Sequence, residues 1–155
     1  MRILKQDITE LFDTPHNLIF TSNAVRKSNG ELVMGAGVAL AFRNRWPDLA
    51  AELGNKLNFI PINTPVKQKN EYNLVQSTIH PNIWAFQTKY HWRNPSDADL
   101  VINSLKALAE KVSTSNELWY MTPPGCGLGG LDKQMVLKLV EQYIPYNNLI
   151  ICDLE

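Results

Sequence analysis

The chain of 155 residues has 15 Lys and Arg against 15 Asp and Glu, 45% hydrophobic residues and two cysteines. The length suits one domain over residues 1–155, the composition is that of a packed globular protein, and the zero formal charge argues against binding nucleic acid by bulk electrostatics. Since no segment reads as a signal peptide or a membrane span, and Cys126 and Cys152 match no disulfide framework or zinc-ligand spacing, we expect a soluble, cytoplasmic monomer without metal or cofactor.

Six short apolar segments rich in β-branched and aromatic residues predict buried strands. Four of the six are followed directly by Ser or Thr, which are common in loops. They span residues 2–5, 17–21, 72–76, 83–87, 117–121 and 149–152. The third and fourth are expected to form a hairpin around residues 80–82, which would make the sheet mixed.

Amphipathic patterns between these strands predict four helices. The first two span residues 36–45 and 48–57, separated at Trp46-Pro47, where proline ends one helix or begins the next. Ser96 is expected to cap the third, which continues with apolar residues to Val112, and the last spans residues 132–143. Strands that alternate with helices of this length predict an α/β sandwich with a largely parallel sheet.

Two glycine-rich segments lie where predicted strands lead into predicted helices: residues 33–40 and residues 123–131. Glycine lets the backbone approach a ligand closely, and the amides of a helix start favour an anion such as phosphate. Loops at the carboxyl ends of strands in one sheet can converge on one crevice, so the pair predicts a diphosphate site. Neither segment matches the Walker or Rossmann pattern, and tight turns are the structural alternative for each.

Four segments, in order along the chain, resemble the macrodomain family, whose members bind ADP-ribose. They are residues 6–9, 21–24, 34–39 and 125–131, so the resemblance covers nearly the whole chain. It implies a single three-layer α/β/α macrodomain with a central mixed, largely parallel sheet. It also implies ADP-ribose, or a macromolecule that carries it, as the ligand.

The segment 86–93, with its Thr-Lys pair, resembles one branch of that family. The branch includes terminal ADP-ribose glycohydrolases and antitoxin macrodomains that strip ADP-ribose from DNA, and its catalytic lysine corresponds to Lys89. The glycohydrolases carry an aspartate where this chain has Gly129, whereas the antitoxin-like members have a Gly-Gly-Leu arrangement closer to this one. Asp132, three residues on, is expected to cap the last helix and not to replace that aspartate. The implied mechanism is therefore centred on the lysine.

The resemblance also assigns the contacts to ADP-ribose. Asp7 would accept a hydrogen bond from the adenine amine with Ile8 beside it, and Asn23 would bind the distal ribose. The diphosphate would be bound by the two loops, through Gly35, Ala36, Gly37, Val38, Gly125, Cys126, Gly127, Leu128 and Gly129. Each polar residue has a structural alternative: Asp7 as a helix cap, Asn23 as a strand end and Lys89 as a solvated lysine.

The chemistry would occur at C1″ of the distal ribose, by attack of water or of an amine that opens the sugar through a Schiff base. An amine attacks in its neutral form, so the second route suits a lysine whose pKa is lowered by burial or by a cationic neighbour. Arg93 and His91 are close to Lys89 in sequence. Cys126, with His80 or His91 as base, is a competing nucleophile, because a thiolate is stabilised at a helix start.

These features together predict an ADP-ribosyl hydrolase that acts on a protein carboxylate ester or a nucleic-acid base. The alternatives are a non-catalytic module that binds ADP-ribose or NAD metabolites, and a phosphatase for ADP-ribose 1″-phosphate. Nucleic acid enters only as a modified substrate, since the basic residues are scattered on a neutral chain. Trp92, in a polar segment beside the lysine, is expected to line the pocket or to meet the substrate.

Overall fold

The computed structural model describes residues 1–57 and 73–154. Within these ranges a six-stranded sheet is covered by helices on both faces, which confirms the α/β class. The strands are β1 (Arg2–Leu4), β2 (Asn17–Ser22), β3 (Leu74–Gln76), β4 (Ile83–Gln87), β5 (Trp119–Met121) and β6 (Leu149–Cys152), and the helices are α1 (Gly37–Arg45), α2 (Leu49–Lys56), α3 (Ala98–Ser113) and α4 (Lys133–Tyr143). Of the helices in this described part, none is long and apolar enough to cross a membrane.

The sheet is mixed, with strand order β1-β6-β5-β2-β4-β3. β3 runs antiparallel to β4, and the other neighbouring pairs are parallel. The predicted hairpin is therefore confirmed for Leu74–Gln76 and Ile83–Gln87. Tyr72, with which the predicted strand began, lies outside the described residues.

The two faces of the sheet bury separate cores, because successive side chains of a strand point to opposite faces. Phe20 of β2 packs in one core with Phe42 of α1 and Leu53 of α2. Its neighbour Ile19 packs in the other, with Leu105 of α3 and side chains of α4. Helices α1 and α2 thus cover one face, and α3 and α4 cover the other.

Two predictions are wrong, one on the burial of β1 and one on the cap of α3. β1 is not a buried strand: Ile3 and Leu4 are 50% and 40% exposed, because β1 lies at the edge of the sheet and pairs with β6 alone among the described strands. Ser96 does not cap α3. Asp97 does, since its carboxylate accepts from the Leu100 amide at 3.1 Å.

Glu52 of α2 holds the β3–β4 hairpin against the helix. Its carboxylate accepts hydrogen bonds from the Ser77 hydroxyl and from the amides of Thr78 (2.5 Å) and Ile79 (3.3 Å), and it lies 3.5 Å from the Lys56 ammonium. Burial by itself would raise the pKa of Glu52. The hydrogen bonds and the lysine outweigh burial, so the pKa is lowered overall.

We expect Glu52→Gln to lower the free energy of unfolding at neutral pH by about 1–3 kcal/mol, the usual cost of losing hydrogen bonds to a charged group. Because the folded pKa lies below the ordinary value of 4.5, the ionised carboxylate stabilises the fold above that value. This stabilisation is lost as the pH falls from there through the folded pKa.

Urea unfolding of the wild type and Glu52→Gln, from neutral to acid pH, measures this difference, which should shrink at the acid end. Glu110→Gln, at an exposed position of α3, is the matched control and should change little at any pH. A difference for Glu52→Gln that stays constant across the range would contradict the assignment.

Candidate functional site

The topology of the sheet predicts a ligand-binding crevice at the carboxyl ends of β2 and β5. These strands are parallel neighbours, but the chain leaves β2 for α1 on one face and leaves β5 for α4 on the other. The two following loops therefore diverge, and such a divergence is where open α/β sheets bind ligands. The segments after β1 and β4, which contain Asp7 and Lys89, begin at the same edge.

The loop that leads into α1, residues 33–38 (the first loop), ends in backbone amides that can bind an anion. Ala36 offers α1 no side-chain cap, and the first turn contains no acid. The amide of Leu40 donates to Ala36, so the amides of residues 37–39 lack an intrahelical acceptor. Gly37 has a left-handed φ of +60°, and Gly35, Ala36 and Gly37 are exposed beside a half-buried Val38. The expectation of an anion site at a helix start therefore fits this loop.

The second loop, residues 123–131, is built differently from the prediction. It does not lead directly into a helix: it contains a short 3₁₀ turn at Gly127–Gly129, and α4 begins only at Lys133, after Asp132 has capped it. What this loop offers an anion is a run of backbone amides in a glycine-rich turn. The left-handed residues are Gly125 (φ +78°), Gly127 (φ +64°) and Gly130 (φ +78°).

Cys126 is a poor candidate for a nucleophile. Its side chain is half-buried, the thiol points to the carbonyl of Pro124 at 3.8 Å, and burial raises the pKa of the thiol. The residue also precedes a turn of three residues rather than the predicted helix start. A thiolate is therefore disfavoured here at neutral pH. Leu128, two residues on, is 81% exposed at the tip of the loop.

Asp7 and Ile8 have clear structural roles at the end of β1. Asp7 caps a short 3₁₀ helix, because its Oδ1 accepts from the amide of Thr9 at 3.0 Å and from its hydroxyl at 2.8 Å. Ile8 is 3% exposed and packs in the core below α1. The alternative of Asp7 as a cap is thus observed, and the Ile8 side chain is directed into the core rather than to the solvent edge.

Asn23 connects the end of β2 to the first loop. Its amide nitrogen donates to the carbonyl of Val33 at 3.1 Å, and its amide oxygen accepts from the backbone of Val25 at 3.0 Å. An asparagine amide has two N–H groups and several lone pairs, so these bonds leave part of its capacity for a ligand. Its structural role at the strand end is therefore observed, without excluding the predicted one.

Lys89 is held next to the end of β2. The amide of Thr88 donates to Ser22 at 2.9 Å, and the amide of Ala24 donates to Tyr90 at 3.3 Å, so the pairing of β2 with β4 continues past both strands. Lys89 lies between these two bonds and is half-buried. Among the described residues its ammonium has no hydrogen-bond or ion-pair partner. The site thus presents an amine that no carboxylate of the described chain neutralises.

The residues after the lysine form an exposed aromatic and cationic stack. The rings of His91 and Trp92 are stacked with centroids 5.4 Å apart, and the Arg93 guanidinium lies 4.7 Å from the Trp92 centroid. Trp92 is 46% exposed. Such a surface can stack on a planar group or attract an anion.

Ser96 connects the second loop to the segment before Lys89, a role that the sequence did not predict. The amide of Ser96 donates to the carbonyl of Gly129, and the next amide, of Asp97, donates to the carbonyl of Thr88, both at 2.8 Å. One short segment thus ties the second loop to the residue before Lys89. A serine just before a predicted helix indicates a cap, so the sequence carried no signal for this role.

Two surface clefts, of about 350 and 520 Å³, lie at the opposite edge of the sheet. Both contain Pro81 and Asn82, which precede β4, and the smaller also contains Asn17, the first residue of β2. Neither is lined by a predicted site residue.

Comparison with solved structures identifies macrodomains. The macrodomain of Thermus aquaticus DarG matches with a TM-score of 0.67 and 23% identity over 98% of this chain and 97% of that one. The macrodomain of Mycobacterium tuberculosis DarG matches with a TM-score of 0.64 and 26% identity over 97% and 95%. Thermosipho africanus DarTG, solved in complex with ADP-ribose, matches with a TM-score of 0.65 and 22% identity over 98% of this chain and 41% of its own. No protein-family model and no curated protein sequence matches the chain.

We expect Gly37→Ala to lower the free energy of unfolding by about 1–2 kcal/mol, since a left-handed backbone costs a residue with a Cβ roughly that much. The added methyl group would meet no atom within 4 Å, so the loss would report strain and not collision. Gly35→Ala has the same open surroundings without the left-handed φ and is the matched control. Urea unfolding measures both, and equal losses would contradict the assigned conformation.

Proposed function

From the premise that this chain is a macrodomain by its fold, we propose that it is an ADP-ribosyl hydrolase. It binds ADP-ribose in the crevice between the two glycine loops and releases it from a modified substrate. The observation that carries the proposal is Lys89, whose amine is unpaired among the described residues. The segment that contains it lies at the same edge of the sheet as both loops. The similar DarTG structure with ADP-ribose supports the choice of ligand.

The two loops would bind the diphosphate from opposite sides. The first supplies the uncapped amides of residues 37–39, at the positive end of α1, and the second supplies the amides of residues 125–128, since the amide of Gly129 already donates to the carbonyl of Cys126. Glycines let both backbones approach the phosphates closely. The exposed Leu128 would lie against the ligand from the rim of the second loop.

Asp7 and Asn23 would bind the two ends of the ligand with the capacity that their structural bonds leave free. The second carboxylate oxygen of Asp7 has no hydrogen-bond partner among the described residues and can accept from the adenine amine. The remaining N–H of Asn23 can donate to the distal ribose. Ile8 would contribute its backbone, because its side chain is in the core.

Lys89 would act at C1″ of the distal ribose. Attack of its neutral amine forms a C–N bond while the bond from C1″ to the substrate breaks, and the substrate leaves with the electron pair of that bond and a proton from the amine. The sugar then opens to a Schiff base, which water hydrolyses to free ADP-ribose and the original amine. Alternatively the lysine would orient water for direct attack. In both cases the site works without an acid in the second loop, where this chain has Gly129.

Two other functions are alternatives with narrower support. A non-catalytic module for ADP-ribose or NAD metabolites is favoured by the absence of an acid at Gly129, and the amine of Lys89, which is unpaired among the described residues, argues against it. A phosphatase for ADP-ribose 1″-phosphate would use the same loops.

The exposed stack of Trp92 and Arg93 favours a nucleic-acid base over a protein ester as the group released. A base is planar and can stack on the indole, and the phosphates of its nucleic-acid strand can pair with the guanidinium, whereas an aliphatic carboxylate ester can do neither. The neutral overall charge of the chain agrees with nucleic acid as a modified substrate and not as a tightly bound partner.

We expect the wild type to bind ADP-ribose with micromolar affinity and Gly37→Glu to lose that binding, because an acid at the start of α1 would repel the diphosphate. Lys89→Ala should retain the affinity and lose turnover of an ADP-ribosylated substrate. Isothermal titration calorimetry and release of ADP-ribose measure the two effects, with Lys138→Ala, at an exposed position of α4, as the matched lysine control.

The outcomes separate the functions. Binding without turnover in the wild type, on base, ester and phosphate substrates alike, would establish the non-catalytic module. Full turnover in Lys89→Ala would exclude the lysine mechanism, and absence of binding by the folded wild type would exclude ADP-ribose as the ligand.

We expect Trp92→Ala to raise KM for an ADP-ribosylated oligonucleotide by at least about 5-fold, the lower end of what a base–aromatic stack contributes. KM for an ADP-ribosylated carboxylate peptide should stay unchanged, and Trp92→Phe should retain most of the affinity for the oligonucleotide. Steady-state kinetics on both substrates measure this. Hydrolysis of the peptide alone would overturn the choice of a base.

A further inference from the structure

Ser96 is packed against the second loop with its hydroxyl buried. The residue is 9% exposed, and its Oγ is buried and has no hydrogen-bond partner among the described residues. A buried hydroxyl without a partner does not stabilise a fold and normally costs free energy. Its presence therefore needs an explanation other than a hydrogen bond.

The contacts of the Ser96 side chain are with the glycines of the loop. A Cβ added at Gly129 would overlap the Ser96 hydroxyl and would lie 3.3 Å from its Cβ. A Cβ added at Gly125 would lie 3.3 Å from both atoms of the serine and 2.7 Å from the Leu131 side chain. The serine thus fills the space in which a side chain at position 129 would begin.

The backbone of the same segment is bonded in two directions. Ser96 donates to Gly129, and Asp97 donates to Thr88, the residue before Lys89. Asp97 is in turn fixed as the cap of α3. The distance between the second loop and the lysine is therefore set by residues 96 and 97, on one rigid helix start.

On these grounds we propose that Ser96 is a positioning residue of the ADP-ribose site, an inference that rests on the proposed function. Its side chain, in contact with Gly129, sets the place of the second-loop backbone relative to Lys89. The same contact keeps position 129 free of any side chain, and so this chain cannot place an acid there without displacing the loop.

The test is a double-mutant cycle between positions 96 and 129, measured as the Kd for ADP-ribose and the Tm. Gly129→Ala should weaken binding at least about 10-fold, and Ser96→Gly should weaken it by about 3-fold through loss of support for the loop. The double variant should bind like Ser96→Gly alone, because removal of the serine side chain makes room for the new methyl group. The affinity of the double variant Ser96→Ala with Gly129→Ala should lie between that of Gly129→Ala and that of Ser96→Gly with Gly129→Ala, since its two Cβ atoms remain 3.3 Å apart.

Gly125 provides the matched control for rescue. Its φ of +78° strains any other residue, and the Leu131 contact remains when Ser96 is changed. Adding Ser96→Gly should therefore fail to restore the ADP-ribose affinity and the Tm of the Gly125→Ala variant. Losses that simply add up at positions 96 and 129, or a Gly129→Ala variant that binds like the wild type, would overturn the proposal.

The Tm separates this inference from the proposed function. If the wild type bound no ADP-ribose, the proposed function would fail, and the Ser96–Gly129 contact would still be decided by the Tm. Gly129→Ala should then melt lower than the wild type and recover when Ser96→Gly is added. No recovery would overturn the positioning role, even if Gly129→Ala by itself folds poorly.

Discussion

The parallel pairing of β2 with β5, followed by helices on opposite faces, is the constraint on which the site depends. The pairing brings the ends of two strands together, and the buried faces of α1 and α4 require the chain to leave them in opposite directions. A ligand-binding crevice is therefore expected at this point as a consequence of core packing. The second glycine loop follows the end of β5 directly, and the first is connected to the end of β2 by the hydrogen bond from Asn23 to Val33.

The same packing places the Lys89 amine, the nucleophile of the proposed mechanism. β4 pairs with β2 on the side away from β5, and the pairing continues through Thr88 and Tyr90, so the backbone around Lys89 cannot move independently of the end of β2. The amides at residues 96 and 97 extend this framework to the second loop. The two loops and Lys89 are thus connected by backbone hydrogen bonds, which would supply the preorganisation that the proposed catalytic site requires.

The two loops look alike in sequence and differ in structure for a physical reason. The first ends directly in α1, whose start has no capping side chain and leaves its amides open. The second is separated from α4 by a 3₁₀ turn and by Asp132, whose carboxylate already accepts from the amide of Gln134. Glycines followed by an amphipathic pattern are compatible with both arrangements. The position of the residue that caps the helix N-terminus decides which of them forms.

The sequence alone determined the α/β class, the hairpin at β3 and β4, and the helices α1, α2 and α4 to within a residue at their ends, because these follow from local periodicity and from proline and aspartate at helix ends. It also indicated which glycines form the loops. Only the tertiary structure decided that β1 is an exposed edge, that Asp97 rather than Ser96 caps α3, and that Ser96 packs on Gly129. The exposure of β1 and the packing of Ser96 on Gly129 depend on partners distant in the chain, and the bond of Ser96 to Gly129 leaves the cap of α3 to Asp97, whose own partner, Leu100, is local. No local pattern specifies which distant segment will occupy the neighbouring space.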